Sequence, residues 1–379
     1  MTQPAKTYRN GRIFDGQTLR DGHALRIEAG TVAALAPETE LPRDGEVVDL
    51  GGDILSPGYV DLQVNGGDGI MFNDDPSVET LRRMAGAHRR LGVAALLPTL
   101  ITDSREVTRA AIAAAIEAVQ AGVPGIAGLH LEGPHLSVAR KGAHDPALIR
   151  PMEQADLDAL LAAAQALPVL KVTLAPENVT EAQVTTLAGA GVLISLGHTD
   201  ADFDTCRRYF AAGARCATHL FNAMSQLGNR EPGLVGAVLS DGAVSGGLIA
   251  DGLHVHPETI RTAWAAKTGP GRLYLVSDAM AVAGTDQTAF DLGGRRIERR
   301  VGRLTLADGT LAGADLDLTT ALRVMTGQVG VPLDAALHAA TTLPSQVIGR
   351  RPDRLAQGHP VPAGMIRVTS GLDAVIPLG

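Results

Sequence analysis

The chain of 379 residues carries 33 Lys and Arg against 41 Asp and Glu, which gives a formal net charge of −8. With 45% hydrophobic and 20% charged residues, it has the composition of a folded protein rather than a disordered one. The acidic balance argues against partners that need a basic patch, so we expect neither nucleic acid nor a membrane surface as a partner. The length suits about two domains, or one large α/β unit with an appendage.

Cysteine usage and the first residues indicate the compartment. Cys206 and Cys216 are the only cysteines, too few for a disulfide framework in a chain of this length. Residues 1–9 are polar and lack the apolar segment of a secretory signal. No apolar run reaches the roughly 18 residues that a transmembrane helix needs. These features predict a cytoplasmic protein.

Short β-prone runs fill the first 56 residues. They cover residues 8–14, 23–29, 31–36 and 47–49 and are separated by turn signals such as Asn10-Gly11 and Asp21-Gly22. After Ser345 the chain returns to turns and short strands.

From residue 57 onward, apolar runs alternate with Ala-rich amphipathic stretches. The eight runs cover residues 59–64, 93–97, 125–131, 169–174, 192–196, 215–218, 245–249 and 272–276. Most are continuous rather than alternating, which is typical of parallel strands buried on both faces. Eight strand-then-helix units predict an α/β protein of the (β/α)8 barrel type. A doubly wound sheet is the alternative, but it needs fewer strands and usually a Gly-rich phosphate loop, which the sequence lacks.

Helix starts are readable in several of the intervening stretches. Asp103-x-x-Glu106 and Thr180-x-x-Gln183 resemble capping boxes at the heads of helices over 105–120 and 181–190. Pro257 stands where a helix over 258–267 would start, and Asp200 and Asp202 are expected to cap a helix over 201–212.

The polar segment 287–313 interrupts the alternation and predicts a hairpin insertion before a last helix over 316–326. It contains Gly293-Gly294 and Asp308-Gly309 turns and a basic cluster formed by Arg295, Arg296, Arg299 and Arg300. The cluster is either an anion site or the solvated face of the hairpin, and the second interpretation is favoured.

Polar residues follow the ends of five of the predicted strands. They are Glu132, His198, His219, Asp251, His254 and Asp278. Each alone is more often a structural hydrogen-bonding group or a helix cap than a ligand, but the carboxyl ends of barrel strands converge on one mouth. Their coincidence therefore predicts one shared cavity.

The residue types in that cavity indicate metal-assisted hydrolysis. Two neutral imidazoles with a carboxylate suit Zn²⁺ or Fe²⁺ and leave a position open for water, whose pKa the metal lowers. A separate carboxylate, Asp278, is placed to move protons. His130 and His135 flank Glu132 but are not assigned, because strand alternation is expected to turn His130 away from the mouth.

Several sequence blocks carry a resemblance to a known family. They are SPGYVDLQVNG at 56–66, HLEGP at 130–134, KGAH at 141–144, GH at 197–198, ATHLFNAM at 217–224, NREPG at 229–233, ADGLH at 250–254 and SD at 277–278. From about residue 11 to 349 the chain resembles the N-acetylglucosamine-6-phosphate deacetylase family of the amidohydrolase superfamily. The resemblance implies a (β/α)8 TIM-type barrel over 57–344 and a small β-sandwich domain from residues 1–56 and 345–379.

The resemblance also implies roles for individual residues. Glu132, His198 and His219 match the family's metal ligands, Asp278 its catalytic acid/base, and His144 a group that polarises the acetamide carbonyl. The matching substrate contacts are Ala143, Asn222, Ala223, Arg230, His254, Leu311, Ala312 and Gly313. Of these, Arg230 and His254 would hold the 6-phosphate.

The chain departs from common amidohydrolase patterns in places. Many members end the first barrel strand with His-x-His, which supplies a second metal site, whereas here the same place holds Gln63 and Asn65. An amide is a poor transition-metal ligand, so one divalent metal is expected, Zn²⁺ or alternatively Fe²⁺. A serine is common in the family where Ala312 stands. The tail from about 357 does not match the family's closing hairpin, so the small domain is expected to be incomplete or differently closed.

The expected reaction is hydrolysis of the acetamide of N-acetyl-D-glucosamine 6-phosphate to glucosamine 6-phosphate and acetate, in amino-sugar catabolism and cell-wall recycling. Water activated by the metal attacks, and Asp278 acts first as general base and then as general acid. The family implies a homodimer or a dimer of dimers. One alternative is another deacetylase acting on a different N-acyl amino sugar, and another is a non-catalytic sugar-phosphate-binding barrel. The presence of Glu132, His198, His219 and Asp278 together argues against a non-catalytic barrel, because a protein that only binds its ligand needs no general base.

Overall fold

A computed structural model of the chain describes residues 5–378. Its strands, in chain order, are β1 Lys6–Arg9, β2 Arg12–Phe14, β3 Leu19–Arg20, β4 His23–Glu28, β5 Thr31–Pro37, β6 Glu46–Asp49, β7 Ile54–Ser56, β8 Tyr59–Val64, β9 Gly66–Gly67, β10 Ile70–Met71, β11 Val93–Ile101, β12 Leu129–Glu132, β13 Leu170–Leu174, β14 Leu193–Leu196, β15 Cys216–Ala217, β16 Ser245–Leu248, β17 Leu273–Leu275, β18 Ala289–Leu292, β19 Arg295–Arg300, β20 Arg303–Thr305, β21 Leu311–Ala314, β22 Met365–Val368 and β23 Val375–Leu378.

The α-helices are α1 Val78–Arg90, α2 Arg105–Gln120, α3 Gln154–Ala166, α4 Glu181–Gly189, α5 Phe203–Ala212, α6 Gly233–Ser240, α7 Pro257–Ala266, α8 Leu318–Val324, α9 Leu333–Ala340 and α10 Thr342–Val347. A short 3₁₀ turn covers Val138–Arg140, and a π-helical turn, Met325–Val329, continues α8. Among residues 5–378, no helix combines the length and the apolar character needed to cross a bilayer.

Most of the predicted helix starts are confirmed. The Thr180 and Gln183 side chains form the capping box of α4, Pro257 opens α7, and Asp202 caps α5. The predicted box at Asp103 is wrong, because the hydroxyl of Ser104 accepts the hydrogen bond from Val107 N–H and caps α2. Asp200 is not the cap of α5 either, since its carboxylate accepts a hydrogen bond from Arg140 at 2.8 Å.

The eight predicted core strands form one parallel sheet, which confirms the (β/α)8 barrel. The strands run in the order β8, β11, β12, β13, β14, β15, β16, β17. A parallel bridge between Val64 and Ala279 and a hydrogen bond of 3.1 Å from Asp278 N–H to the Gln63 carbonyl join the last strand to the first at the mouth. This closure brings the end of the first strand beside Asp278.

The interior of the barrel below the mouth is polar and hydrogen-bonded. The His130 ring lies between the hydroxyls of Thr99 and Thr173, at 3.1 and 2.7 Å, and Thr173 and Ser195 each lie 2.6 Å from the hydroxyl of Thr218. All five side chains are buried. Buried polar groups of this kind persist only when they are paired, and here each has a partner.

The sequence argument about His130 is wrong. Residues two apart in a strand share a face, so His130 points into the barrel like Glu132 rather than away from it. It is still not available as a ligand, because hydroxyls occupy both ring nitrogens. His135 does not line the cavity at the mouth, and its Nδ1 lies 3.0 Å from the carbonyl oxygen of Arg150.

Strands from both ends of the chain pack beside the barrel. One sheet has the order β5, β4, β1, β6, and another has the order β23, β22, β7, β2, β3. They share a buried core formed by Tyr8, Ile13, Leu25, Val32, Leu50, Leu55, Leu355 and Met365. We propose that these two sheets form the small domain over residues 1–56 and 345–379, of which residues 1–4 and 379 lie outside the described residues.

The tail closes this small domain, so the expectation of an incomplete domain is wrong. β22 pairs with β23 in an antiparallel hairpin and also with β7, where Arg367 lies opposite Leu55. The Arg367 guanidinium then donates to Asp53 at 2.6 Å and to the Leu50 carbonyl at 2.8 Å. A closing hairpin is therefore present, although the sequence pattern usual in the family is not.

The insertion after β17 has four antiparallel strands in the order β18, β19, β20, β21, more than the single hairpin expected from its turns. Its basic cluster does not converge on one point. Arg299 bonds to Asp315 at 2.8 Å, Arg300 pairs with Glu298 at 2.7 Å, and Arg295 reaches the Ala143 carbonyl at 2.6 Å. Separate partners argue against a shared anion site among these three arginines.

Candidate active site at the mouth of the barrel

Left-handed backbone at three strand ends sets the direction of the key side chains. His198, His219 and Asp278 come two or three residues after the ends of β14, β15 and β17 and have φ of +48°, +32° and +51°. A residue in this conformation leaves the alternation of the strand, at a cost of about 1–2 kcal/mol for a side chain other than glycine. Such strain is often concentrated at functional sites, where the surrounding structure holds it in place.

Glu132, His198 and His219 converge on one point in the mouth. Glu132 Oε1 lies 3.3 Å from His198 Nε2 and 3.1 Å from His219 Nε2, and the two Nε2 atoms are 2.9 Å apart. All three side chains are buried. Burial would raise the pKa of Glu132, but the two neighbouring imidazoles hold it well below its usual range.

The donor set of this cluster fits a divalent cation. The Arg140 carbonyl lies 2.8 Å from His198 Nδ1, so Nδ1 carries the proton and Nε2 offers its lone pair to the cluster. His219 Nδ1 is buried and has no protein partner within residues 5–378. Two imidazole nitrogens and a carboxylate oxygen on one point are the ligands that Zn²⁺ and Fe²⁺ take in catalytic sites. These residues could therefore hold a metal ion.

Asp278 stands beside this cluster and is held by two amides. Its Oδ1 accepts hydrogen bonds from Asn65 Nδ2 at 2.8 Å and from Gln63 Nε2 at 3.0 Å. Burial and then the nearby charge of Glu132 raise the pKa of Asp278. A carboxylate whose pKa is raised toward neutrality is better suited to accept and return a proton than one with an ordinary pKa.

Gln63 lies between the two carboxylates. Its Nε2 is 3.2 Å from each carboxylate oxygen of Glu132 as well as 3.0 Å from Asp278. The amide thereby offers hydrogen-bond donors where two negative charges approach each other. The first strand thus presents amide donors toward the carboxylates at the place where His-x-His would offer metal ligands.

His144 enters the mouth from the loop after β12. Its ring centroid lies 4.4 Å from that of His198. Burial, followed by the neighbouring His198, holds the pKa of His144 well below the usual value, which favours the neutral ring. The Ala143 carbonyl just before it accepts a hydrogen bond from Arg295 on the insertion sheet.

A cavity of about 370 Å³ opens above these groups. Most of the predicted site residues line it: Asn65, Glu132, Ala143, His144, His198, His219, Asn222, Ala223, His254, Asp278, Leu311 and Gly313. Leu311 and Gly313 belong to β21, so the insertion forms one wall of the cavity.

The structure does not bring three predicted residues to the cavity surface. Gln63 is buried beneath it and acts through Glu132 and Asp278. Ala312 alternates with Leu311 and Gly313 along β21 and packs into the core of the insertion. Arg230 is exposed on the loop after β15 and does not line the cavity.

The structure reveals supporting residues that the sequence did not indicate. Arg140 lines the cavity and holds His198 through its carbonyl. Asp251 Oδ2 lies 2.6 Å from His254 Nδ1, and both side chains are nearly inaccessible. Thr102 contacts the His144 ring. The sequence places Asp251 at a strand end but does not indicate that it pairs with His254. No sequence signal could indicate the role of a backbone carbonyl such as that of Arg140.

The mouth of this parallel barrel holds a candidate metal cluster, a neighbouring carboxylate suited to proton transfer and a cavity of substrate size. This combination is typical of barrel enzymes that catalyse metal-assisted hydrolysis.

Comparison with known proteins gives the family. Residues 54–360 match the model of the amidohydrolase family, and residues 8–55 match the NagA composite domain. The chain is 43% identical over 341 residues to an N-acetylgalactosamine-6-phosphate deacetylase of Shewanella sp. (strain ANA-3), covering 89% of this chain and 86% of that protein. It is 35% identical over 334 residues to an N-acetylglucosamine-6-phosphate deacetylase of Haemophilus influenzae, covering 87% and 86% of the two chains.

The fold agrees with these relatives. The crystal structure of N-acetylglucosamine-6-phosphate deacetylase from Pasteurella multocida superposes with a TM-score of 0.91 at 32% identity, over 99% of this chain and 98% of that one. The chain belongs to the amidohydrolase family.

Proposed function

We propose that the protein is an enzyme that hydrolyses the acetamide of N-acetyl-D-glucosamine 6-phosphate to glucosamine 6-phosphate and acetate, a step of amino-sugar catabolism and cell-wall recycling. Support comes above all from one arrangement: Asp278, fixed by Gln63 and Asn65, stands beside the Glu132, His198 and His219 cluster in a cavity that His144 also lines. Relatives 35–43% identical over most of the chain are deacetylases of N-acetylhexosamine 6-phosphates.

One divalent metal per chain is expected at Glu132, His198 and His219, with Zn²⁺ as the first choice and Fe²⁺ as the alternative. When bound, such a metal supplies Lewis acidity, which polarises the amide carbonyl and lowers the pKa of water. Gln63 and Asn65 direct amide donors at the carboxylates of Glu132 and Asp278, which supports one metal rather than two.

Proton movement is assigned to Asp278. Its carboxylate accepts a proton from the attacking water, and the resulting carboxyl group then returns that proton to the departing amine. His144 donates a hydrogen bond to the acetamide oxygen as negative charge develops there. Cavity-lining side chains, including Asn222 and His254, bind the sugar phosphate.

A second candidate substrate is the galactosamine epimer. The relative that is 43% identical acts on N-acetylgalactosamine 6-phosphate, a closer match than the 35% identical glucosamine enzyme. An acetate-release assay across the glucosamine, galactosamine and mannosamine forms, with metal content measured on the same sample, decides between them. The highest kcat/KM for the glucosamine form supports the proposal, a preference for galactosamine selects the second candidate, and no acetate from any of them overturns both.

Substitution of the proposed phosphate ligands is expected to act on KM. Arg230→Ala and His254→Ala should each raise KM for the 6-phosphate about 10- to 100-fold, because each removes a hydrogen bond to a charged group. For the unphosphorylated N-acetyl sugar the KM should hardly change, which provides the internal control. The measurement is steady-state kinetics on the two substrates.

The Arg230→Ala variant tests the role of a residue that does not line the cavity. An unchanged KM in Arg230→Ala would remove it from phosphate binding. Among residues 5–378, the Lys or Arg side chain that lines the cavity is that of Arg140, whose guanidinium lies 2.7 Å from Asp200.

We further propose a cytoplasmic homodimer, or a dimer of dimers. Both cysteines are free thiols, in keeping with a reducing compartment. Large apolar side chains are exposed at Val138, Leu227, Leu253 and Val301, and also at Val47 and Ile376 in the small domain. Where such side chains adjoin one another, they favour contact with another subunit. Light scattering of the purified protein measures the assembly, and a monomer would contradict the proposal.

A further inference from the structure

Thr102 directs two polar groups at one nitrogen of His144. Its hydroxyl oxygen lies 2.8 Å from His144 Nδ1, and its backbone N–H donates to the same nitrogen at 3.3 Å. Thr102 follows strand β11, whereas His144 stands 42 residues later in the loop after β12. Both residues are buried.

The backbone donor decides which ring nitrogen carries the proton. A backbone N–H can only donate, so Nδ1 must present its lone pair to Thr102. A proton on Nδ1 would point toward this N–H and be repelled by it, which disfavours the tautomer with its proton on Nδ1. The geometry therefore favours the neutral ring that carries its proton on Nε2.

The Thr102 hydroxyl alone would not determine which nitrogen of His144 carries the proton. It can donate to Nδ1, or it can accept from Nδ1 while donating to the Glu132 carbonyl, 3.5 Å away. The backbone amide disfavours the second arrangement, because that arrangement needs a proton on Nδ1. Within residues 5–378, Nε2 has no protein hydrogen-bond partner, and the ring lines the cavity.

We propose that Thr102 is a positioning residue that fixes His144 as the tautomer with its proton on Nε2, so that this N–H faces the carbonyl oxygen of the bound amide. The inference rests on the proposed function of the site, because it assigns the Nε2 proton to an acyl oxygen. With the other tautomer, Nε2 would present a lone pair to that oxygen and repel the charge that develops on it.

The ring can be observed directly by NMR. In Zn²⁺-loaded protein with ¹⁵N-labelled histidine, we expect His144 to show an unprotonated Nδ1 and a protonated Nε2, with its signals assigned from their loss in His144→Gln. A protonated Nδ1 would overturn the inference. This measurement needs no change at Thr102, so it decides even where a Thr102 variant fails to fold.

Kinetics supply the second readout. Thr102→Val keeps the backbone N–H and loses the hydroxyl, so kcat should fall about three- to tenfold, the worth of one neutral hydrogen bond, with KM unchanged. Thr102→Ser restores the hydroxyl and should restore kcat. Wild-type kcat in folded Thr102→Val would overturn the role of the Thr102 hydroxyl, whereas the role of the backbone N–H is tested by the histidine spectrum.

Thr342→Val is the matched control. Its hydroxyl is also buried and donates to the Gly16 carbonyl at 2.5 Å, far from the cavity. The Thr342→Val variant should lose stability without a change in kcat. Were the wild-type protein to release no acetate from any sugar phosphate, the proposed function would fail, and the histidine spectrum would still decide the tautomer.

Discussion

Asp278→Asn is expected to lower kcat about 10²- to 10⁴-fold, the usual contribution of general acid–base catalysis, while metal content stays normal. The amide keeps an oxygen where Gln63 and Asn65 donate at 3.0 and 2.8 Å, so the side chain should stay in place. It cannot accept the proton of the attacking water or deliver one to the amine. Acetate release and metal analysis on the same sample measure the two effects.

The fold should tolerate this change. Asparagine adopts the left-handed conformation of residue 278 more readily than most residues, and its neutral amide relieves the repulsion between Asp278 and Glu132. Thermal stability equal to or above that of the wild-type protein is therefore expected. A variant with near-normal kcat would remove Asp278 from the mechanism, and loss of metal together with kcat would reassign it as a ligand.

Glu132→Gln is expected to abolish turnover and to lower metal affinity more than about 100-fold. The effect should exceed that of removing a residue that only hydrogen-bonds to a metal ligand, because Glu132 is itself a proposed ligand. The substitution preserves size and exchanges a carboxylate oxygen for an amide oxygen, a poor ligand for transition metals. Metal content after dialysis against a weak chelator gives the affinity. Wild-type metal content in this variant would show that the metal does not bind at Glu132, His198 and His219.

Asp156→Asn is the matched control for both exchanges. Its carboxylate is buried outside the cavity and accepts hydrogen bonds from Arg105 at 3.1 Å. Although burial alone would raise the pKa of Asp156, its bonds to Arg105 lower it to about 2. The control should therefore lose some stability at neutral pH and keep normal kcat and metal content.

The barrel and the centre of its site could be predicted because they follow from repeated local patterns. Continuous apolar runs marked the eight strands, and parallel strands place their carboxyl ends together, which united Glu132, His198, His219 and Asp278 before any geometry was known. Helix caps were readable where the capping side chain lies within three residues of its partner, as in Thr180 and Gln183.

The supporting contacts could not be predicted because they join distant parts of the chain or use backbone atoms. The carbonyl that holds His198 belongs to Arg140, 58 residues earlier, and every residue type carries such a carbonyl. The closing hairpin was missed for a related reason. β22 pairs with β7 through backbone hydrogen bonds, and these tolerate a sequence that departs from the family pattern.

The left-handed backbone at His198, His219 and Asp278 affects which mutations a stability screen would recover. The left-handed backbone conformation costs about 1–2 kcal/mol for each of these residues. Glycine would adopt this conformation without that cost, and asparagine adopts it more readily than most other residues. At these three positions, the substitutions that relieve backbone strain therefore also remove a side chain of the active site. Selection for heat resistance alone would not reject such inactive variants, so directed evolution of this protein needs activity as a simultaneous criterion.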